Sequence, residues 1–205
     1  MRHCLAVILV FSSAFAFAAS APRTPEGVWS GALSAGRGKI LQQVPKYAKV
    51  RMAVDRSSPL DAVVNEPGLG INVDVSRGGL DSFWINGYLK GSARPFDRRS
   101  SLAGVTIMGG GVNVDARPFG GQGYILSGIY KDTEGKDGSL NLHLNAAVLP
   151  LRDMTVSEKG LELQLRWTAT GYIIEGRADP ASFGKRELAI LGAAVATLTW
   201  DSFGR

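Results

Sequence analysis

The chain is poor in the side chains that most catalytic and metal chemistry requires. Its 205 residues include one cysteine, Cys4, and two histidines, His3 and His143. Cys4 and His3 both fall within residues 1–21. There Arg2 precedes a run from Leu5 to Ala19 that is apolar except for Ser12 and Ser13. Small residues follow at a peptidase-like spacing, Ala16-Phe17-Ala18 or Ala19-Ser20-Ala21. A basic start, a short apolar run and such an ending predict a cleaved secretory signal peptide. The run is shorter than the ~20 apolar residues of a spanning helix. Cys4 lies ahead of the run rather than at its end, which argues against a lipoprotein. The expected mature chain, residues 22–205, then has no cysteine and a single histidine. That excludes a disulfide scaffold, a thiol nucleophile, a zinc–thiolate cluster and a multi-histidine metal centre.

Other absences narrow the field further. The sequence holds no G-x-S-x-G elbow, no G-x-x-x-x-G-K-[ST] loop and no H-E-x-x-H pair. The Gly-rich stretch at residues 109–116 is followed by a strand-like segment, whereas a dinucleotide fingerprint needs a helix there. Loss of Arg2 takes the formal net charge from +5 to +4, and the lysines and arginines form no block. No nucleic-acid partner is expected from so small and dispersed a charge. The longest apolar run after the leader, Leu188–Leu198, is diluted by Gly192 and several alanines and is too short to span a bilayer. No cofactor and no metal is implied.

What the chain does have is a repeat. Residues 70–90 and 111–131 align without gaps and share seven of 21 positions: Gly70, Asn72, Val73, Asp74, Gly79, Gly87 and Lys90 match Gly111, Asn113, Val114, Asp115, Gly120, Gly128 and Lys131. A looser third copy runs from Gly160 to Gly176, where Gly171-Tyr172-Ile173-Ile174 answers Gly123-Tyr124-Ile125-Leu126. Val28-Trp29-Ser30-Gly31 has the shape of the segment that closes each copy. Within a copy the period is two: Ile71, Val73 and Val75 face one way, Asn72 and Asp74 the other. That alternation describes a half-buried strand, and each copy reads as a hairpin. The recurring glycine in the second strand predicts a bulge, a bend or the close approach of another backbone.

Further strands are expected at residues 49–55, 104–109 and 139–148, for about nine or ten in all. One helix signal follows Asp179-Pro180, where a capping residue and a proline precede Phe183 to Leu191, although that segment also suits a last strand. The fold class expected is all-β: an antiparallel β-sandwich or small closed barrel built around a duplicated hairpin, with room for one short C-terminal helix, in a single domain of residues 22–205. A propeller is disfavoured, because three uneven copies do not fill a ring.

Few residues are candidates for chemistry. His143 lacks a nameable orienting partner or nucleophile and reads as a polar residue on the wet face of a strand. Asn72, Asp74, Asn113 and Asp115 offer oxygen ligands at equivalent positions, but a calcium ion takes more than four, and turn-shaping explains them as well. Carboxylate-dependent hydrolysis needs two acids facing each other, and the sequence pairs none of Asp74, Asp81, Asp115 and Glu175. The aromatics Trp84, Tyr124 and Tyr172 are the candidate ligand-binding residues, for a pocket or concave face; core packing competes for the same side chains. The two Ala-Arg-Pro-Phe runs, at 93–96 and 116–119, read as openings of extended loops. No catalytic residue is assigned. The function class expected is a periplasmic or secreted, non-enzymatic binding or interaction protein of the cell envelope, with a small apolar ligand or an envelope protein as partner. A small outer-membrane β-barrel is the first alternative, and a carboxylate-dependent hydrolase the second.

Overall fold

In the computed structural model twelve antiparallel strands close into a barrel, with β1 hydrogen-bonded to β12, and one helix follows. The described residues are 47–56, 58–79, 82–96, 104–120, 123–146 and 153–200, all within one unit of residues 43–205. The expected leader and Val28-Trp29-Ser30-Gly31 lie outside them. The strands group in fours. The first four are β1 (Ala48–Asp55), β2 (Asp61–Glu66), β3 (Ile71–Arg77) and β4 (Phe83–Gly87). Next come β5 (Gly91–Phe96), β6 (Gly104–Gly109), β7 (Val112–Pro118) and β8 (Gly123–Lys131). The last four are β9 (Asp137–Ala146), β10 (Asp153–Glu158), β11 (Leu161–Trp167) and β12 (Gly171–Ala178), followed by the helix α1 (Lys185–Leu198).

The sequence repeat is the third and fourth strand of each group. Val73 pairs with Gly87 on β3–β4, Val114 with Gly128 on β7–β8, and Leu163 with Gly176 on β11–β12. The duplicated hairpin is therefore a threefold one, and the barrel has an approximate threefold repeat of four-stranded units. The recurring glycine has one cause in all three copies. A Cβ on Gly87, Gly128 or Gly176 would lie 2.4, 2.2 or 2.0 Å from the carbonyl oxygen of Asn72, Asn113 or Glu162. Those three residues occupy the same place in their copies, so the glycines let neighbouring backbones approach closely where the wall bends. Gly70, Gly111 and Gly160 open the copies with φ of 63°, 79° and 88°, which turns require and side-chain-bearing residues resist.

The strands were undercounted from sequence because three lack a clean signal. β2 and β10 are six-residue segments with acids at both ends, and β5 carries Pro95. The first Ala-Arg-Pro-Phe run is thus part of a strand rather than a loop. Pro95 is tolerated because β4 pairs with β5 only as far as Ala93, so the missing N–H costs no ladder bond on that side. The helix also begins later than the Asp179-Pro180 signal suggests. Asp179 closes a turn instead, accepting from Ala181 N–H at 3.0 Å and from the Ser182 hydroxyl at 3.2 Å. Gly184 is the N-cap, and the helix runs on to Leu198.

Side chains on the barrel's inner face are buried in every strand, while the outer face is mostly polar: Lys49 and Arg51, Asn72 and Asp74, Glu162, Gln164 and Arg166 all point outward. Eight strands give a barrel whose side chains just fill it; twelve leave a lumen. The helix fills it. Ten consecutive residues of α1, Leu188–Thr197, are buried, so no side of the helix meets water. Its backbone presses on β1 and β2, since a Cβ on Gly192 would sit 2.4 Å from Val64 Cγ1 and 3.0 Å from Met52 Sδ. Ala189, Ala193, Ala194 and Ala196 keep the cylinder thin enough to fit. The buried hydroxyls donate within the helix, Thr197 to Ala193 O at 2.9 Å and Thr199 to Val195 O at 2.6 Å, so neither is left without a partner in the apolar lumen. Beyond the helix, Trp200 packs on Phe83 with ring centroids 4.9 Å apart, and Arg56 donates to Trp200 O at 2.6 Å.

Three substitutions test this packing. Gly128→Ala is expected to lower stability by about 3 kcal/mol, because the new methyl group meets a fixed carbonyl. Gly135→Ala, in an open turn at φ 81°, should cost about 1 kcal/mol from backbone strain alone. Urea unfolding of the two variants measures the difference. At Gly192 the sign is diagnostic: alanine gains about 1 kcal/mol in a water-facing helix, but Gly192→Ala should be destabilising here, read as a lower urea midpoint.

Candidate functional site

Of the three aromatics singled out from sequence, two are in the core. Tyr124 and Tyr172 take the inward position four residues before Gly128 and Gly176, and Phe83 takes the same position before Gly87. The trio is one aromatic per unit, and Phe83 is the one that meets Trp200. Tyr172 also packs edge-on against Trp167, with centroids 5.4 Å apart. Burial pushes the phenols of Tyr124 and Tyr172 above the usual tyrosine range. Trp84 is on the opposite face of the sheet and is 57% exposed. A pocket lined by Trp84, Tyr124 and Tyr172 together is therefore not formed, since the three lie four strands apart and on two faces.

Trp84 belongs instead to a row on the outer wall. Cross-strand partners run from Trp84 to Ser92, Met108, Asn113 and Ile129, through β4, β5, β6, β7 and β8. Partners in register share a face, so three exposed apolar side chains alternate with small polar ones. Met108 is 36% and Ile129 63% exposed. At ~4.8 Å per strand the row covers about 19 Å of wall. Trp84 is laid over Gly78, where a Cβ would strike its Nε1 at 2.2 Å. Lys90 and Arg94 flank the row and have no ion-pair partner among the described residues.

The remaining candidates are scattered over the wall. Asn72 and Asp74 are on β3, Asn113 and Asp115 on β7, four strands away, so the two pairs do not converge on one cation. Among the described residues no three metal-ligating side chains gather. Burial alone would raise the Asp115 carboxyl, but hydrogen bonds from Thr106 Oγ1 at 2.6 Å and Arg117 Nη2 at 2.7 Å outweigh it and hold the group below the usual range. His143 does have a partner that the sequence did not disclose: its Nδ1 lies 2.7 Å from Glu158 Oε1 across β9 and β10. Phe119 stands edge-on to the imidazole at 6.1 Å. That pair orients the ring, and no serine, threonine or tyrosine hydroxyl is bonded to its other nitrogen among the described residues.

A second polar cluster surrounds the start of α1. Glu187 accepts from Gly184 N–H at 3.0 Å with one carboxylate oxygen and from the Tyr130 hydroxyl with the other. Arg186 donates to the carbonyls of Tyr88 and Gly110, and Lys185 stands over the Tyr88 ring at 4.2 Å. These contacts tie the mouth of the barrel to the filling helix. They form a cleft of about 300 Å³ with Asp132, Thr133 and Ser182.

The class these observations define is a closed, helix-filled, twelve-stranded β-barrel with a mostly polar outer wall. Comparison with known protein families, with curated proteins and with solved structures finds no match.

The Tyr130–Glu187 contact gives a pH test. Burial, then the hydrogen bond to Glu187, its charge and that of Asp132 raise the Tyr130 phenol above its usual value of 10.0. The folded state thus holds this proton more tightly than the unfolded chain. Its contribution is complete below pH 10 and is lost as pH rises above that value. Tyr130→Phe should cost about 1 to 2 kcal/mol at pH 7, and its urea midpoint should fall less steeply with pH above 10 than that of the unsubstituted protein.

Proposed function

We propose that this protein is a non-enzymatic binding or interaction protein of the cell envelope, exported to the periplasm or beyond, that works through the outer wall of its barrel. The observation that carries this is the exposed row Trp84–Met108–Ile129 on a wall whose other outward positions are mostly polar. Exposed apolar side chains gathered in one place mark contact surfaces. The lumen, where barrels of this size hold ligands, is occupied by α1. A partner therefore meets the protein from outside, which favours an envelope protein over a small apolar ligand.

Two alternatives have less support. Membrane-spanning barrels carry an apolar band outside and a polar interior, and the polarity here is inverted. Acid-only hydrolysis needs two carboxylates about 5 to 10 Å apart across a groove. Asp74 and Asp115 are four strands apart, and Asp115 is committed to Thr106 and Arg117.

The test is photocrosslinking in cells that export the protein. A photoreactive residue replacing Ser92, between Trp84 and Met108, should give one discrete adduct, and the same residue replacing Asn65 on β2 should give none. The pair Trp84→Ser and Met108→Ser should abolish the adduct while leaving the thermal midpoint within a few degrees, as surface changes do. Absence of an adduct at Ser92, or recovery of the protein only in detergent-solubilised membranes, would contradict the proposal.

A further inference from the structure

A second wide hollow lies on a different part of the wall from the Trp84–Ile129 row. It holds about 740 Å³ over β10, β11, β12 and β1, a volume in the range of small-ligand sites. Two outward rows in register form its sides. One is Arg51, Glu175, Gln164 and Thr155; the other is Lys49, Arg177, Glu162 and Ser157. Between them runs the level of Val50, Gly176, Leu163 and Val156. The close approach of Gly176 to Glu162 O, where no Cβ fits, leaves that level without a side chain at its centre.

The charges in the hollow are unevenly matched. Arg177 pairs with Glu162 at 2.6 Å and Glu175 with Arg166 at 3.3 Å. Lys49 and Arg51 are exposed and have no ion-pair partner among the described residues. They are two residues apart on one strand, about 7 Å. At the rim the exposed ring of Tyr47 stands 5.7 Å from the Arg177 guanidinium.

We propose that this hollow binds an acidic oligosaccharide, a sugar chain carrying carboxylate groups. Gln164, Thr155, Ser157 and the two paired carboxylates present planar amide, hydroxyl and carboxylate groups that hydrogen-bond hydroxyl arrays. Tyr47 supplies a ring for the apolar face of a sugar. Lys49 and Arg51 supply the cations that acidic groups on the chain neutralise. The wall is part of a closed sheet whose backbone groups are already paired, so an acidic peptide gains no ladder bonds there.

Calorimetric titration of the full chain with trigalacturonate tests this, with maltotriose and triglutamate as comparison ligands. Trigalacturonate should bind with a Kd of roughly 1 mM or tighter, more than tenfold better than either comparison ligand, and should weaken with added salt. Lys49→Gln with Arg51→Gln should weaken it about tenfold, and Ser157→Trp should block it, each with an unchanged thermal midpoint. No saturable heat with trigalacturonate, affinity untouched by the Lys49 and Arg51 changes, or equal binding of triglutamate would overturn the proposal. The Trp84–Ile129 row plays no part in this outcome, so either proposal can fail alone.

Discussion

The structure depends on one constraint: a closed sheet of twelve strands is too wide to fill with its own side chains. A hollow of that width lined by Val50, Met52, Val64, Leu126, Leu163 and Ile174 would be unstable empty or wet. The C-terminal helix resolves this by supplying an apolar cylinder whose every side is covered. The same demand explains its composition. Glycine and alanines that make the run look weakly hydrophobic are what allow a helix to pass between facing aliphatic walls. It also explains the clamps at both ends, Glu187 and Arg186 at the start and Trp200 against Phe83 and Arg56 beyond the end.

A filled interior moves function to the surface, and the threefold repeat shows how the surface became varied. Gly128 and Gly176 bend equivalent strands, so the positions around them correspond. Ile129 stands where Arg177 stands in the last unit, and Met108 where Ser157 does. One scaffold position thus carries an apolar contact row on one side of the barrel and a charged, hydroxyl-rich hollow on another. The inward partners differ little between copies, since Phe83, Tyr124 and Tyr172 are held by the same core. The shape is repeated and the chemistry is not.

How much of this was legible in the sequence follows from which signals are local. Period-two alternation in the repeat copies is local, and it identifies β3, β4, β7, β8, β11 and β12. The glycine that closes each copy is local too, and its close approach to a neighbouring carbonyl was among the causes the sequence allowed. Closure is not local: nothing near Lys49 or Arg177 says that β1 and β12 are neighbours, so the hollow between their rows was invisible. The same holds for His143 and Glu158, fifteen residues apart and joined only by strand register. The aromatic candidates illustrate a different limit. Trp84 sits one residue from Phe83, and only the face of the sheet decides that one is solvent-exposed and the other core. For Tyr124 and Tyr172 the core alternative was the one realised. Asp179-Pro180 carries a helix-start signature, yet five residues of turn intervene before Lys185 because the chain must first cross the barrel mouth.

The most direct measurement of the central claim is native-state hydrogen exchange across residues 188–197. A helix enclosed by the barrel opens only when the barrel does, so its amides should exchange by global unfolding, with the protection of the best-protected strand amides and the same denaturant dependence. Exchange of those amides through local fraying, well ahead of β1, β2 and β3, would show a helix lying on the surface and would contradict the account.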